Sequence, residues 1–277
     1  MDILKIAAFS DGDTGGNPAG ILISDRFPNE IEMQKIAADV GFSETAFATP
    51  VENGWRVRYF SPESEVPFCG HATIALGAAL ALRKGNGVFP LALNQSRITV
   101  EGRQSEGVIS AALQSPPTHN TPVTPELVSS ALELLNYTYD DLDLRIPPSR
   151  IHGGADHLVL ALKSREALAS MHYDLKAGRI FMNRERLVTI LLAFAESNQL
   201  FHTRNPFASG GIYEDPATGA ATAALGGYLR DIAWPHGGRI DVIQGEDMGM
   251  RSLIRADIPA VPNGSIRVSG TARIMPD

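Results

Sequence analysis

The sequence predicts a mixed α+β protein in two similar halves, and three observations carry that expectation. Short strand-like apolar runs recur along the chain. Two helices, one in each half, are apolar or small nearly all round, and these two helices share one sequence word. A helix without a polar face is one surrounded by protein, so each half should build its core around its own helix. The length of 277 residues exceeds one typical domain and suits two of ordinary size.

In chain order, residues 4–9 read as a strand, 10–20 as a turn-rich stretch and 21–23 as a resumed strand. Asn29, with Glu32 three residues on, makes a partial capping box. Met33, Ile36, Ala37 and Val40 give the buried stripe of the helix that follows, and Gly41 ends it. Residues 44–49 and 55–60 read as strands; in the second, Trp55, Val57 and Tyr59 alternate with Arg56 and Arg58. The first buried helix spans 71–83 and closes at Lys84 and Gly85, and strands follow at 98–100 and 108–113.

Pro116, Pro117, Pro122 and Pro125 mark 116–124 as the expected linker. It separates an N-terminal half, 1–115, from a C-terminal half, 125–264, with 265–277 returning to the first half. The second half should contain a helix over 125–135, strands at 157–162 and 200–204, and the second buried helix over 217–230. Strands at 240–244, 252–257 and 266–269 finish the chain, while 187–194 fits helix or strand equally by pattern.

The shared word runs from Gly70 to Leu80 and, without gaps, from Gly219 to Leu229. Gly, Ala, Thr, Ala, Leu, Gly and Leu coincide. Two alanine-rich helices match by chance more readily than most segments. Gly77 and Gly226 argue against chance, because a mid-helix glycine costs about 1 kcal/mol relative to alanine and two in register imply a shared packing need. Duplication is the preferred explanation. Each helix then opens at a glycine-containing turn, where backbone N–H groups and the helix dipole favour an anion. Halves packed about a pseudo-twofold axis would turn both starts into one cleft; the plainer alternative is two tight turns opening two core helices.

Composition narrows the partners. A net charge of −7 argues against nucleic acid but permits a small anionic substrate. The lone cysteine, Cys69, excludes an intrachain disulfide, a cysteine-based zinc cage and two-thiol chemistry. The histidines show no metal-ligand spacing, so no metal is expected. Neither a signal peptide nor an apolar run near the roughly 18 residues of a membrane helix is evident, so a cytoplasmic location without a membrane partner is expected.

Glu44, flanked by strand-forming residues, could serve as a general acid/base; by itself it also fits a surface carboxylate. His71 follows the glycine of the first helix, and Asp215 precedes the second in Asp215-Pro216-Ala217-Thr218-Gly219. A structural histidine and an N-capping aspartate are their ordinary alternatives. Cys69 pairs with Thr218 in the repeat, which favours buried packing over a catalytic thiol. The stretch from Gly15 to Gly20 lacks the ending of a phosphate loop and reads as a turn.

Six words together resemble the PhzF-like family of phenazine biosynthesis. They are Gly16-Asn17-Pro18, Ser43-Glu44-Thr45, Arg58-Tyr59-Phe60-Ser61-Pro62, Pro67-Phe68-Cys69-Gly70-His71, Asp215-Pro216-Ala217-Thr218-Gly219 and Gln244-Gly245, in the family's order. The resemblance implies a diaminopimelate epimerase-like fold: two similar domains, each a curled, mostly antiparallel sheet or barrel around a central helix, with the site between them. It also implies a homodimer, catalysis without cofactor or metal, and a glutamate at Glu44 that moves a proton along a diene acid. His71 and Asp215 would hold and polarise the substrate, and Asn17, Cys69, Gly70, Thr218, Gly219 and Ala220 would line the site. Two departures stand out. Pro216 falls where related epimerases carry a second cysteine, which disfavours two-thiol racemisation. Ala220 replaces the serine of the phenazine enzyme and removes a donor at the second helix start.

The expected activity is therefore a cofactor-independent isomerisation, a proton shift or one-base epimerisation, of a small carboxylic acid. The alternatives are a metabolite binder that has lost the reaction, and a hydrolase or lyase using His71 with Cys69 or a serine.

Overall fold

The computed structural model describes residues 2–94 and 96–276. Its elements are, in order, β1 (Leu4–Ala8), β2 (Asn17–Ile23), α1 (Glu30–Val40), β3 (Glu44–Val51), β4 (Gly54–Phe60), β5 (Glu65–Val66), α2 (Gly70–Lys84), β6 (Gly87–Ala92), β7 (Arg97–Ser105) and β8 (Val108–Gln114). There follow β9 (His119–Pro122), α3 (Pro125–Leu134), β10 (Ser149–His152), β11 (Asp156–Leu162), α4 (Arg165–Ala169), α5 (Leu175–Arg184), β12 (Thr189–Ala195) and β13 (Leu200–Pro206). The remainder are β14 (Glu214–Asp215), α6 (Gly219–Asp231), β15 (Arg239–Gln244), β16 (Ser252–Asp257) and β17 (Arg267–Ile274). The chain divides into one compact unit of residues up to Gln114 plus those from Ser269 onward, and a second from Ser115 to Val268.

In the first unit the strands close on themselves in the order β1, β2, β3, β4, β6, β7, β8, β17 and back to β1. The pairs β2–β3 and β4–β6 are parallel. Helix α2 packs against β1, β2, β3, β6, β7 and β8, and every residue from His71 to Ala81 is buried. This is why the helix carries no polar face: the barrel surrounds it. Outside, α1 covers Leu22, Phe47 and Phe60 with Met33 and Ala37. Asn29 and Glu32 form the full capping box, and Gly41 ends the helix in the left-handed region. Ile36 and Val40, expected in the buried stripe, are only half-buried.

The second unit repeats the plan with a sheet running β9, β10, β11, β12, β13, β15, β16 beside α6. Helices α3, α4 and α5 contribute to a further layer, where Val128, Leu132, Leu168, Phe181 and Met182 meet Leu158, Leu160 and Leu192. The ambiguous 187–194 run is strand β12, parallel to β11 and buried over its first five residues. A strand covered on both faces is continuously apolar, which erases the alternation that would have identified it.

Several expectations need correction. The stretch expected as a linker, 116–124, contains β9, which pairs in register with β10; only its last residue, Pro122, is a proline. The turn expected through Gly20 ends earlier, because β2 begins at Asn17 opposite Ala8. Gly20 marks a close approach: a Cβ there would lie 2.7 Å from Thr45 Oγ1. Helix α5 escaped the pattern because Gly178 interrupts it, yet Gly178, Phe181 and Met182 form its buried stripe and Asp174 caps it. Among the described residues no helix is long and apolar enough to cross a membrane.

Candidate functional site

The first group of site residues gathers where β3 and α2 begin. Glu44 opens β3, and its Oε2 lies 3.3 Å from His71 Nε2. Both side chains are well shielded, at 13% and 7% exposure. Ser43 Oγ lies 3.4 Å from the same nitrogen, and Cys69 Sγ lies 3.4 Å from Nδ1 and 3.9 Å from Nε2. A carboxylate accepts from Nε2–H, which leaves Nδ1 as the acceptor facing the thiol. The ring thus has both a carboxylate and a sulfur in contact with it. Cys69 occupies the N-cap position of α2 but makes no side-chain capping bond.

The helix start is anchored from behind. Thr73 Oγ1 donates to the Cys69 carbonyl at 2.6 Å, and Tyr59 OH lies 2.7 Å from Thr73 Oγ1. Burial pushes the Tyr59 hydroxyl pKa well above its ordinary value, so this tyrosine stays neutral and structural. Arg58, next along β4, binds Glu65 at 2.6 Å and Glu30 at 3.0 Å. Asn17 is buried at the start of β2, at the same strand end as Glu44, because Ala19 is level with Glu44 in the parallel pair.

The second group forms around β14 and the start of α6. Asp215 was expected as an N-cap or a substrate contact; Thr218 occupies the cap position instead, and its Oγ1 donates to Asp215 Oδ2 at 2.5 Å. Gln244, at the end of β15, ties the turn together. Its Oε1 accepts from the Thr218 backbone N–H at 3.0 Å, and its Nε2 donates to the Asp215 carbonyl at 2.7 Å and to Thr218 Oγ1 at 3.0 Å. Gly245 follows with φ of 73°, and a Cβ there would lie 2.7 Å from the Pro216 carbonyl. Below the turn, Arg204 holds Glu214 through two bonds, at 2.6 and 3.1 Å, in a buried pair. Burial opposes the Arg204 charge, yet the pairing with Glu214 prevails and its pKa is raised. Gly219 is buried at the helix start and Ala220 is partly exposed with no polar group to offer.

Glu44, Cys69 and His71 therefore come together, with Gly70 between the last two in sequence and Asn17 at the same strand end as Glu44, and Asp215, Thr218 and Gly219 come together with Ala220 next along α6. Ser43 and Gln244 complete the two groups; each lies inside a recognised word, but no spacing rule assigned it a role. The scattered histidines gave no metal-ligand spacing, but among the described residues the fold assembles two clusters whose donor atoms lie within 4.8 Å of one another: Glu44, Cys69 and His71, and His119, His152 and Asp156.

Comparison with known proteins identifies the family. The family model described as phenazine biosynthesis-like protein matches residues 6–276. The uncharacterized isomerase YddE of Escherichia coli K12 is 28% identical over 285 residues, covering 99% of this chain and 96% of its own. The trans-2,3-dihydro-3-hydroxyanthranilate isomerase of Pseudomonas chlororaphis is 28% identical over 272 residues, covering 96% and 94%. A PhzF-family phenazine biosynthesis protein of Bacillus anthracis superposes with a TM-score of 0.86 at 22% identity, covering 99% and 96%. Helix-centred sheets in each unit, the ordered words and a match across nearly the whole length lead to one conclusion: this chain belongs to the phenazine biosynthesis-like protein family and has the diaminopimelate epimerase-like fold.

Proposed function

We propose that this isomerase moves a proton between two carbons of a small carboxylic acid without a cofactor, using Glu44 as the general acid/base. The observation that carries the reading is the shielded Glu44–His71 pair, 3.3 Å apart at the opening of α2. A carboxylate in hydrogen-bond reach of an imidazole, at a helix N-terminus, suits abstraction of a proton beside an activating group. Glu44 takes the proton from carbon, and the electron pair delocalises toward the substrate's acid group. The protonated Glu44 then returns the proton to a different carbon, so the product has the substrate's composition. His71 keeps the carboxylate oriented through its Nε2–H. Backbone N–H groups at the start of α2, near Gly70, stabilise the developing anion. Asp215, an acceptor when ionised, holds a hydroxyl or amine of the substrate.

The relatives named for trans-2,3-dihydro-3-hydroxyanthranilate support the class of an unsaturated acid. Ala220 in place of a hydroxyl-bearing residue argues for a substrate with one fewer acceptor at the second helix start. The test is proton exchange from deuterated water into a panel of small unsaturated acids, beginning with trans-2,3-dihydro-3-hydroxyanthranilate and followed by NMR. Glu44→Gln is expected to slow exchange by about 100-fold or more while circular dichroism is unchanged. Full exchange in that variant sinks the proposal.

A second reading draws on the 3.4 Å approach of Cys69 Sγ to His71 Nδ1, the geometry of a thiol activated for hydrolase or lyase chemistry. Under the isomerase reading Cys69→Ser retains exchange within about tenfold; under the thiol reading turnover disappears with the sulfur.

A further inference from the structure

We propose that His119, His152 and Asp156 form a binding site for a divalent transition-metal ion of the zinc class. The site shares no residue with the group assigned to proton transfer and does not depend on that assignment. It is built by strand register. His152 is directly opposite His119 across the β9–β10 pair and directly opposite Asp156 across the β10–β11 pair. Residues directly opposite one another in antiparallel strands project to the same face, with Cβ atoms about 4.5–5.5 Å apart. Three adjacent strands therefore present two imidazoles and a carboxylate side by side.

The side chains already converge. His152 Nδ1 lies 2.7 Å from Asp156 Oδ1, and the His119 and His152 rings stack with centroids 4.5 Å apart and planes 21° from parallel. One donor atom from each residue can be chosen so that all three lie within 4.8 Å of one another. Ligands at about 2.0–2.2 Å from a tetrahedral zinc stand about 3.3–3.5 Å from each other, so modest side-chain rotation is enough to close the site. Arg150 Nη1 is 3.8 Å from Asp156 Oδ2, which leaves Oδ1, the oxygen facing the imidazole, for the ion.

The donor set selects the ion. Two imidazole nitrogens with one carboxylate suit zinc, nickel, cobalt or copper over magnesium or calcium, which prefer all-oxygen shells. His119 is exposed while His152 and Asp156 are half-buried, so water completes the coordination and the ion exchanges readily. Such an ion would fasten β9 to the hairpin of β10 and β11, which are separated from it by more than twenty-five residues of chain.

The experiment uses the full chain carrying Cys69→Ser, which removes the thiol of the other cluster. Titration with zinc chloride by calorimetry is expected to show one saturable equivalent with a dissociation constant near micromolar, and saturating zinc should raise Tm. In the same background, His119→Gln and His152→Ala should each weaken binding at least tenfold while leaving the metal-free Tm unchanged within about 2 °C. Bound copper should show coupling to two imidazole nitrogens in its electron paramagnetic resonance spectrum. No saturable zinc site in the Cys69→Ser protein, or binding weakened less than tenfold in either histidine variant, overturns the proposal. If His152→Ala fails to fold, His119→Gln and the copper spectrum still decide it.

Discussion

Gln244 makes three hydrogen bonds to the turn that carries Asp215 and Thr218, and it is buried. Removing its amide leaves the Thr218 N–H without that acceptor in a place water cannot easily reach. A buried donor left unsatisfied costs about 1–3 kcal/mol. Gln244→Ala is therefore expected to destabilise the protein by about that amount in urea unfolding. On the proposed function it should also weaken substrate binding more than turnover, because Asp215 and the α6 start lose their anchor while Glu44 is untouched. An equal fall in kcat with no change in KM would contradict this positioning role. At the residue scale His71 and Asp215 stood out in the sequence because they lie next to the helix starts of the repeat, and Glu44 because it sits among strand-forming residues in one of the family words. Gln244 sits in a recognised word, yet its role depends on β15 ending beside a loop 26 residues earlier in the chain, a proximity no local pattern encodes.

The repeat of α2 and α6 implied that Gly77 and Gly226 answer one packing need, and the structure divides that need differently. A Cβ on Gly77 would lie 2.5 Å from Val100 Cγ2 and 3.2 Å from Ala111 Cβ. On Gly226 the nearest atom would be Ile258 Cγ1 at 3.3 Å, whereas on Gly227 a Cβ would overlap the side chain of Thr118. The tight approach in the second helix is thus one residue later. Alanine improves helix propensity by about 1 kcal/mol, which competes with overpacking of about 1–3 kcal/mol. Gly77→Ala and Gly227→Ala are expected to lower stability by up to about 2 kcal/mol net, and Gly226→Ala to change it by less than about 0.5 kcal/mol. Chemical denaturation of the three variants checks the order; Gly226→Ala as the most damaging would refute the assignment.

For the whole molecule, His157 supplies a pH dependence. It is fully buried on β11, its Nδ1 lies 2.7 Å from Thr189 Oγ1, and its Nε2 has no hydrogen-bond partner among the described residues. Burial is the principal cause that lowers its pKa to about 3. The folded state thus holds the ring neutral where the unfolded chain, with a pKa near 6.5, takes up a proton. This contribution to stability is complete above about pH 6.5 and declines as the pH falls toward 3, with a slope of at most about 1.4 kcal/mol per pH unit. His236, also lowered by burial, acts in the same direction. The expected result is a Tm that drops steadily from pH 6.5 to 4.5, less steeply in His157→Asn. An unchanged slope in that variant would remove His157 as the cause.

The sequence by itself determined two helix-centred halves, the capping of α1, the family words and the residues around both glycine-led helix starts. These are local signals: composition, periodicity and short ordered motifs. Only tertiary structure decided that residues 119–122 are a strand, that 189–195 is β rather than α, and that Glu44 and Cys69 both meet the His71 ring. Only strand pairing could bring His119 level with His152. The physical reason is common to all of these. Pairing across a sheet and burial on both faces are long-range choices, made by the free energy of the assembled core and leaving no local periodicity to read.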